Sequence, residues 1–157
     1  MANDKNDATD TPQVDLGRLS DFIGFRLRRI QNHLSRNFSA RNAEWNLRSG
    51  LFSSLAIIAA NPGISQNLLS REVGLDKSAT VQIVDDLESR GWAERRRSPT
   101  DRRFYELVVT DKGQDALSQL LANLEETERD VMAHLSPAER TLLLELLDRI
   151  YQSCFKG

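Results

Sequence analysis

The sequence predicts a mainly α-helical fold with a small two- or three-stranded β wing: a winged helix-turn-helix with dimerisation helices at its N- and C-terminal ends. Three observations lead there. Residues 91–113, GWAERRRSPTDRRFYELVVTDKG, read as two short strands around a basic tip. Directly before them stand two short helical segments joined by a Gly-containing turn, which is the pattern of a helix-turn-helix. Longer leucine-periodic segments flank this module on both sides.

Each element follows from local chemistry. Residues 1–14, rich in Asn, Asp and Thr, lack apolar periodicity and predict a disordered tail. Leu16, Leu19, Phe22, Ile23, Leu27, Ile30, Leu34 and Phe38 step by three or four, so a helix is expected over 16–38 with Asp15 as its cap. A polar break with Trp45 precedes a mostly apolar helix over 48–60, ended by Asn61-Pro62-Gly63. Ser65 caps a short helix that Gly74 ends. Asp76 or Ser78 opens the next, which Gly91 ends. Strands are expected over 92–97 and 104–109, with Ser98-Pro99-Thr100-Asp101 as turn residues. Thr110 caps a long helix to about residue 134. Ser136-Pro137-Ala138-Glu139 is a capping-box start for a last helix to about residue 154. The division is therefore 1–14 tail, 15–46 N-terminal dimerisation helix, 47–113 winged helix-turn-helix, and 114–157 C-terminal dimerisation helices. So many leucines on terminal helices predict packing against a second copy of the chain.

Composition excludes several classes. The chain has 157 residues, 39% hydrophobic and 28% charged, with a net charge of -2. That total hides an asymmetry. Six arginines between Arg90 and Arg103 face only Glu94 and Asp101, a local charge of +4 that leaves -6 for the rest. Screening beyond roughly 8–10 Å makes the local sign the one a phosphate meets. The single cysteine, Cys154, excludes an internal disulfide framework. His33 and His134 lack metal-ligand spacing, so neither a metal nor a cofactor is expected. No membrane-spanning run and no secretory signal is present, and a cytoplasmic protein is expected. No phosphate-cradling glycine loop, GxSxG or HExxH occurs, so the chain does not read as an enzyme.

The expected partner is double-stranded DNA. The first turns of the second helix of the pair carry Lys77, Ser78, Ala79, Thr80 and Gln82, residue types that read base edges in a major groove. Ser65, Gln66 and Asp76, at the two helix starts, belong to the same expected set. In the hairpin Arg96 and Arg97 alternate faces, and Arg97, Arg102 and Arg103 are the expected DNA contacts, with Asp101 holding an arginine in place. An aromatic wall with cations, formed by His33, Arg41, Trp45, Arg48 and Phe52, is a candidate enclosure for an organic anion, against the alternative of ordinary packing. Cys154 reads as a buried small hydrophobe, with a redox switch as the alternative. A winged helix that contacts protein rather than DNA is the other alternative.

The run SREVGLDKSATVQIVDDLESRGWAERRRSPTDRRFYELVVTDKG resembles the core of the MarR (multiple antibiotic resistance regulator) family. Asp101-Arg102-Arg103 matches that family's Asp-x-Arg wing, and Leu107 with Thr110-Asp111-Lys112-Gly113 matches its entry into the fifth helix. The resemblance spans roughly residues 15–153. It implies a homodimeric regulator, usually a repressor, released from a palindromic operator by a small ligand or oxidant. On that resemblance Arg103 probes the minor groove and Asp101 holds it. The effector is expected to be an aromatic acid, a phenolic or an aromatic acyl-CoA, bound near Trp45, Phe52 and His33. Two departures stand out. Gln82 and Asp86 occupy positions where the family often carries basic residues, and the first helix lacks the cysteine of the peroxide-sensing branch.

Overall fold

The computed structural model describes residues 14–98 and 105–155. The described residues fall into two compact units that divide between His33 and Leu34. In the first, a 3-10 turn spans Gly17–Asp21 and α1 (Ile23–Arg41) begins. The expected single helix over 16–38 is therefore interrupted. Gly17 takes φ +51 and Phe22 is extended, neither of which a right-handed helix accommodates. Asp15 still accepts a backbone bond, from Gly17 N at 2.8 Å.

In the second unit the order is α2 (Leu51–Ala60), α3 (Gln66–Val73), α4 (Lys77–Ser89), β1 (Ala93–Arg97), β2 (Tyr105–Val109), α5 (Asp111–Met132) and α6 (Pro137–Phe155). The mostly helical architecture with a small antiparallel sheet is the one expected. Helix α2 starts three residues later than the expected residue 48, because Gly50 caps it at φ +84. A Cβ there would lie 2.9 Å from Leu75 Cδ1 and 3.0 Å from Ile83 Cδ1, so glycine lets the loop before α2 press on α4.

The strands pair antiparallel from Ala93 opposite Val109 to Arg97 opposite Tyr105. The sheet has two strands, the smaller of the two expected numbers, and an isolated antiparallel bridge from Ile64 to Leu107 ties the start of α3 to it. Leu51, Leu55, Ile58, Leu69, Val84, Leu87, Leu107 and Leu120 are fully buried, so one core joins α2 to α5 and the hairpin. Asn42, almost wholly buried, fixes the start of the unit. Its amide donates to Phe38 O at 2.7 Å, and its carbonyl accepts from Asn123 Nδ2 at 2.7 Å.

Thr110 explains its own motif. Its hydroxyl caps α5 by accepting from Gly113 N at 3.0 Å and donates to Gly91 O at 2.6 Å, which ties the exit of the hairpin to its entry. Helix α6 opens with the expected capping box, Glu139 accepting from Ser136 N at 2.8 Å. Neither α1 nor α6 has a buried residue. Cys154, expected to be buried, is exposed on α6, where no described residue covers it. Among the described residues no helix is long and apolar enough to cross a membrane.

Candidate nucleic-acid interface

Helices α3 and α4 are set at their junction by paired caps. Ser65 Oγ accepts from Leu68 N, and Gly74, at φ +72, closes α3. Ser70 Oγ then donates to Leu75 O at 2.8 Å across the turn. Asp76 Oδ1 accepts from Ala79 N and Ser78 Oγ, each at 2.8 Å. The Ala79 N–H first, and then the Ser78 hydroxyl, hold the Asp76 carboxyl below its ordinary value, because both bonds favour the charged form.

These bonds sort the expected contacts. Lys77, Ser78 and Gln82 are exposed and Ala79 is half-buried, so the first turns of α4 do present a polar and small-residue face. Thr80 does not belong to it. Its side chain is 0% exposed and its hydroxyl donates to Asp76 O at 2.8 Å, so it packs the start of α4 from inside. The sequence pattern missed this because Thr80 lies one turn before Val84 on the buried side of the helix. Asp76 acts as the cap of α4, and Ser65 as the cap of α3.

The arginines divide by partner. Helix α4 carries three carboxylates, Asp85, Asp86 and Glu88, against one cation, Lys77. Arg95 of β1 pairs with Asp85 at 2.8 Å and with Glu88, and donates to Gln66 Oε1 at 3.1 Å. Arg90 donates to Asp86 Oδ1 at 2.8 Å, to Trp45 O at 2.7 Å and to Asn46 O at 3.2 Å, with its guanidinium 5.0 Å from the Trp92 ring centre. Arg96 pairs with Glu94 in the open. Among the described residues, Arg90, Arg95 and Arg96 of the cluster therefore pair with acids of this chain, which a count of charges along the sequence does not reveal. Arg97 lies 5.3 Å from the Tyr105 ring centre on the exposed face of the hairpin. Asp101, Arg102 and Arg103 lie outside the described residues.

The expected effector residues take separate places. Trp45 packs tilted against Trp92, with ring centres 5.0 Å apart, and Phe52 tilted against Phe38 at 5.2 Å. Arg41 pairs with Asp130 at 3.4 Å. Arg48 turns to α4 instead, donating to Gln82 Oε1 at 3.2 Å, with its Nε 3.8 Å from Asp86. It lines an open cleft of about 690 Å³ together with Asn46, Leu47, Gln82, Asp86 and Arg90, and Arg41, Trp45 and Phe52 are not among the lining residues. His33 belongs to the first unit. Among the described residues no cluster of His, Cys, Asp and Glu is arranged to hold a metal.

Residues 52–103 match the model of the MarR family. A putative transcriptional regulatory protein for the hcr operon of Thauera aromatica is 37% identical over 145 residues, which cover 92% of this chain and 87% of that protein. The chain belongs to the MarR family. Among solved structures, the transcriptional repressor CouR bound to a 23-mer DNA duplex aligns with a TM-score of 0.79 and 32% identity, over 88% of this chain and 98% of that one. CouR bound to p-coumaroyl-CoA aligns with a TM-score of 0.76 and 30% identity, over 89% and 99%. This MarR-type protein is thus a transcriptional regulator and not an enzyme.

Proposed function

We propose that this MarR-type regulator is a homodimeric repressor, released from a palindromic operator by an aromatic acyl-CoA or the related acid or phenol. The observation that carries the DNA reading is the exposed, paired-cap start of α4 in a chain 32% identical to a repressor bound to duplex DNA. Lys77, Ser78, Ala79 and Gln82 would enter the major groove, and Arg97, Arg102 and Arg103 would follow the adjoining backbone and minor groove. Helices over 15–46 and 114–157 would form the dimer and set two α4 helices about one turn of DNA apart, roughly 34 Å.

The effector reading draws on CouR, which binds p-coumaroyl-CoA. Helix α1 supports it with chemistry of its own. It carries Arg26, Arg28, Arg29, Arg36 and Arg41 and no acidic residue, a suitable partner for the phosphates of a CoA thioester. Release would be a population shift toward a dimer whose recognition helices are misspaced.

The test is binding of the purified protein to the DNA upstream of its own coding region, across a salt series, with aromatic acids and their CoA thioesters added singly. Tight binding that weakens steeply with salt and is relieved by one thioester is the expected result. Binding no tighter than to unrelated duplex would sink the DNA reading. Tight binding that no compound relieves would remove the effector. In the same assay Arg103→Ala is expected to weaken binding several-fold at matched salt.

A further inference from the structure

Helix α4 is an unusual surface to bring to DNA, since its three carboxylates outnumber its one cation. Two of them, Asp85 and Glu88, share the single guanidinium of Arg95 from the hairpin. The third, Asp86, stands one turn after Gln82 and is gripped from two sides. Arg90 holds one carboxylate oxygen at 2.8 Å, and Arg48 approaches the other at 3.8 Å. Arg90 is anchored in turn to the carbonyls of Trp45 and Asn46, so Asp86 is fixed to the loop that bears Arg48. Asn46, at φ +45, and Gly50, at φ +84, shape that loop, and Gly50 lies against Leu75 and Ile83. The backbone thus delivers Arg48 from outside the helix-turn-helix to the side chain of Gln82.

The bond it makes there is directional. A guanidinium has five donors and no acceptor, so the Gln82 atom facing Arg48 must be the carbonyl oxygen. The Gln82 NH2 group is then the end turned away from Arg48. Stability does not account for this arrangement, because the Arg48 side chain is 57% exposed and such ion pairs contribute little.

We infer that Arg48 is a specificity-determining, positioning residue of the DNA interface. It orients the Gln82 amide so that its NH2 group reads an acceptor on a base edge, and it adds to the counter-charge that Arg90 already gives Asp86 beside that base. An unheld glutamine rotates and accepts either a donor or an acceptor. A held one selects the acceptor pattern of a purine N7, a guanine O6 or a thymine O4. This inference rests on the DNA reading above and adds to it a residue from the loop before α2.

The test is selection of preferred sites from a randomised duplex pool by the full chain, for wild type, Arg48→Ala, Arg48→Lys, Gln82→Ala and the double Ala variant. Arg48→Ala and Gln82→Ala are expected to relax the preference at the same base pair of each half-site, by about fivefold or more. The double variant should relax it no further than Gln82→Ala alone. Arg48→Lys should keep most of the preference, since lysine also only donates. Circular dichroism and the thermal midpoint of Arg48→Ala should match wild type. Uniformly weaker binding with an unchanged preference would make Arg48 a plain phosphate contact and overturn the inference. Relaxation at a different base pair from that of Gln82→Ala would overturn it as well. A wild-type chain that enriches no sequence would instead overturn the DNA reading on which it rests.

Discussion

Among the described glycines, Gly113 has the least room for a side chain. A Cβ added there would lie 1.9 Å from the carbonyl oxygen of Trp92, a backbone atom that cannot swing aside. That carbonyl also accepts from Thr110 N at 3.0 Å, so any retreat breaks the link between the hairpin and α5. Gly113→Ala is expected to cost about 1–3 kcal/mol, the range of forced overpacking, despite the higher helix propensity of alanine. Chemical denaturation would read it, and a stabilised variant would refute the close approach. Asp76 makes a second prediction, through pH. Its carboxyl is held below the ordinary value by the Ala79 N–H and the Ser78 hydroxyl. A depressed acid contributes stability that is complete above its unfolded pKa and is lost as pH falls through the folded one. Asp76→Asn should therefore lower the thermal midpoint at neutral pH, with the gap to wild type closing below about pH 4. A gap that is constant from pH 7 to pH 3 would show that the charge of the cap is immaterial.

At the scale of elements, the sequence made the order of helices and strands legible because caps and stops are local chemistry. Ser65, Asp76, Thr110 and Ser136 all cap the helices they were expected to open. The interruption at Phe22 was not legible, because apolar spacing continues through it while the backbone turns at Gly17. The candidate site was legible in its residue types and less so in their partners. Thr80 has a side chain fit for a groove, yet its hydroxyl is used inside the fold. Arg95 looks like one of a basic set, yet it is the counter-charge of α4. Long-range pairs of this kind depend on register, with Arg95 opposite Leu107, and nothing local in the sequence encodes that. The two neighbouring arginines therefore separate in a paired experiment. Arg95→Ala, which strips Asp85 and Glu88 of their cation beside the proposed DNA face, should weaken operator binding more than Arg96→Ala at matched salt. Arg96→Ala, which opens an exposed pair with Glu94, should change folding stability by less than about 0.5 kcal/mol. Equal losses of binding would mean that both arginines act only through the total charge of the hairpin.

At the scale of the whole molecule, the described residues carry apolar side chains that stand exposed on α6 and α1. Leu144 and Phe155 on α6 are 67% and 74% exposed, and Leu144, Leu147, Ile150, Tyr151 and Phe155 line one shallow depression of about 430 Å³. Helix α1 separately exposes Ile23, Leu27 and Ile30. Contiguous apolar faces of this kind mark association in a stable protein, and association as extensive as a divided core makes a dimer obligate. Sedimentation equilibrium should accordingly give twice the chain mass of 17.8 kDa. Leu144→Glu places a charge on the apolar α6 face and should shift the equilibrium toward the monomer. It alters no residue of the helix-turn-helix, so a loss of affinity for a two-half-site duplex would arise from the dimer alone. Affinity for an isolated half-site should then stay near the wild-type value, because one α4 still reads one groove. A Leu144→Glu protein that remains at twice the chain mass would remove α6 from the interface and leave the exposed face of α1 as the surface to test next.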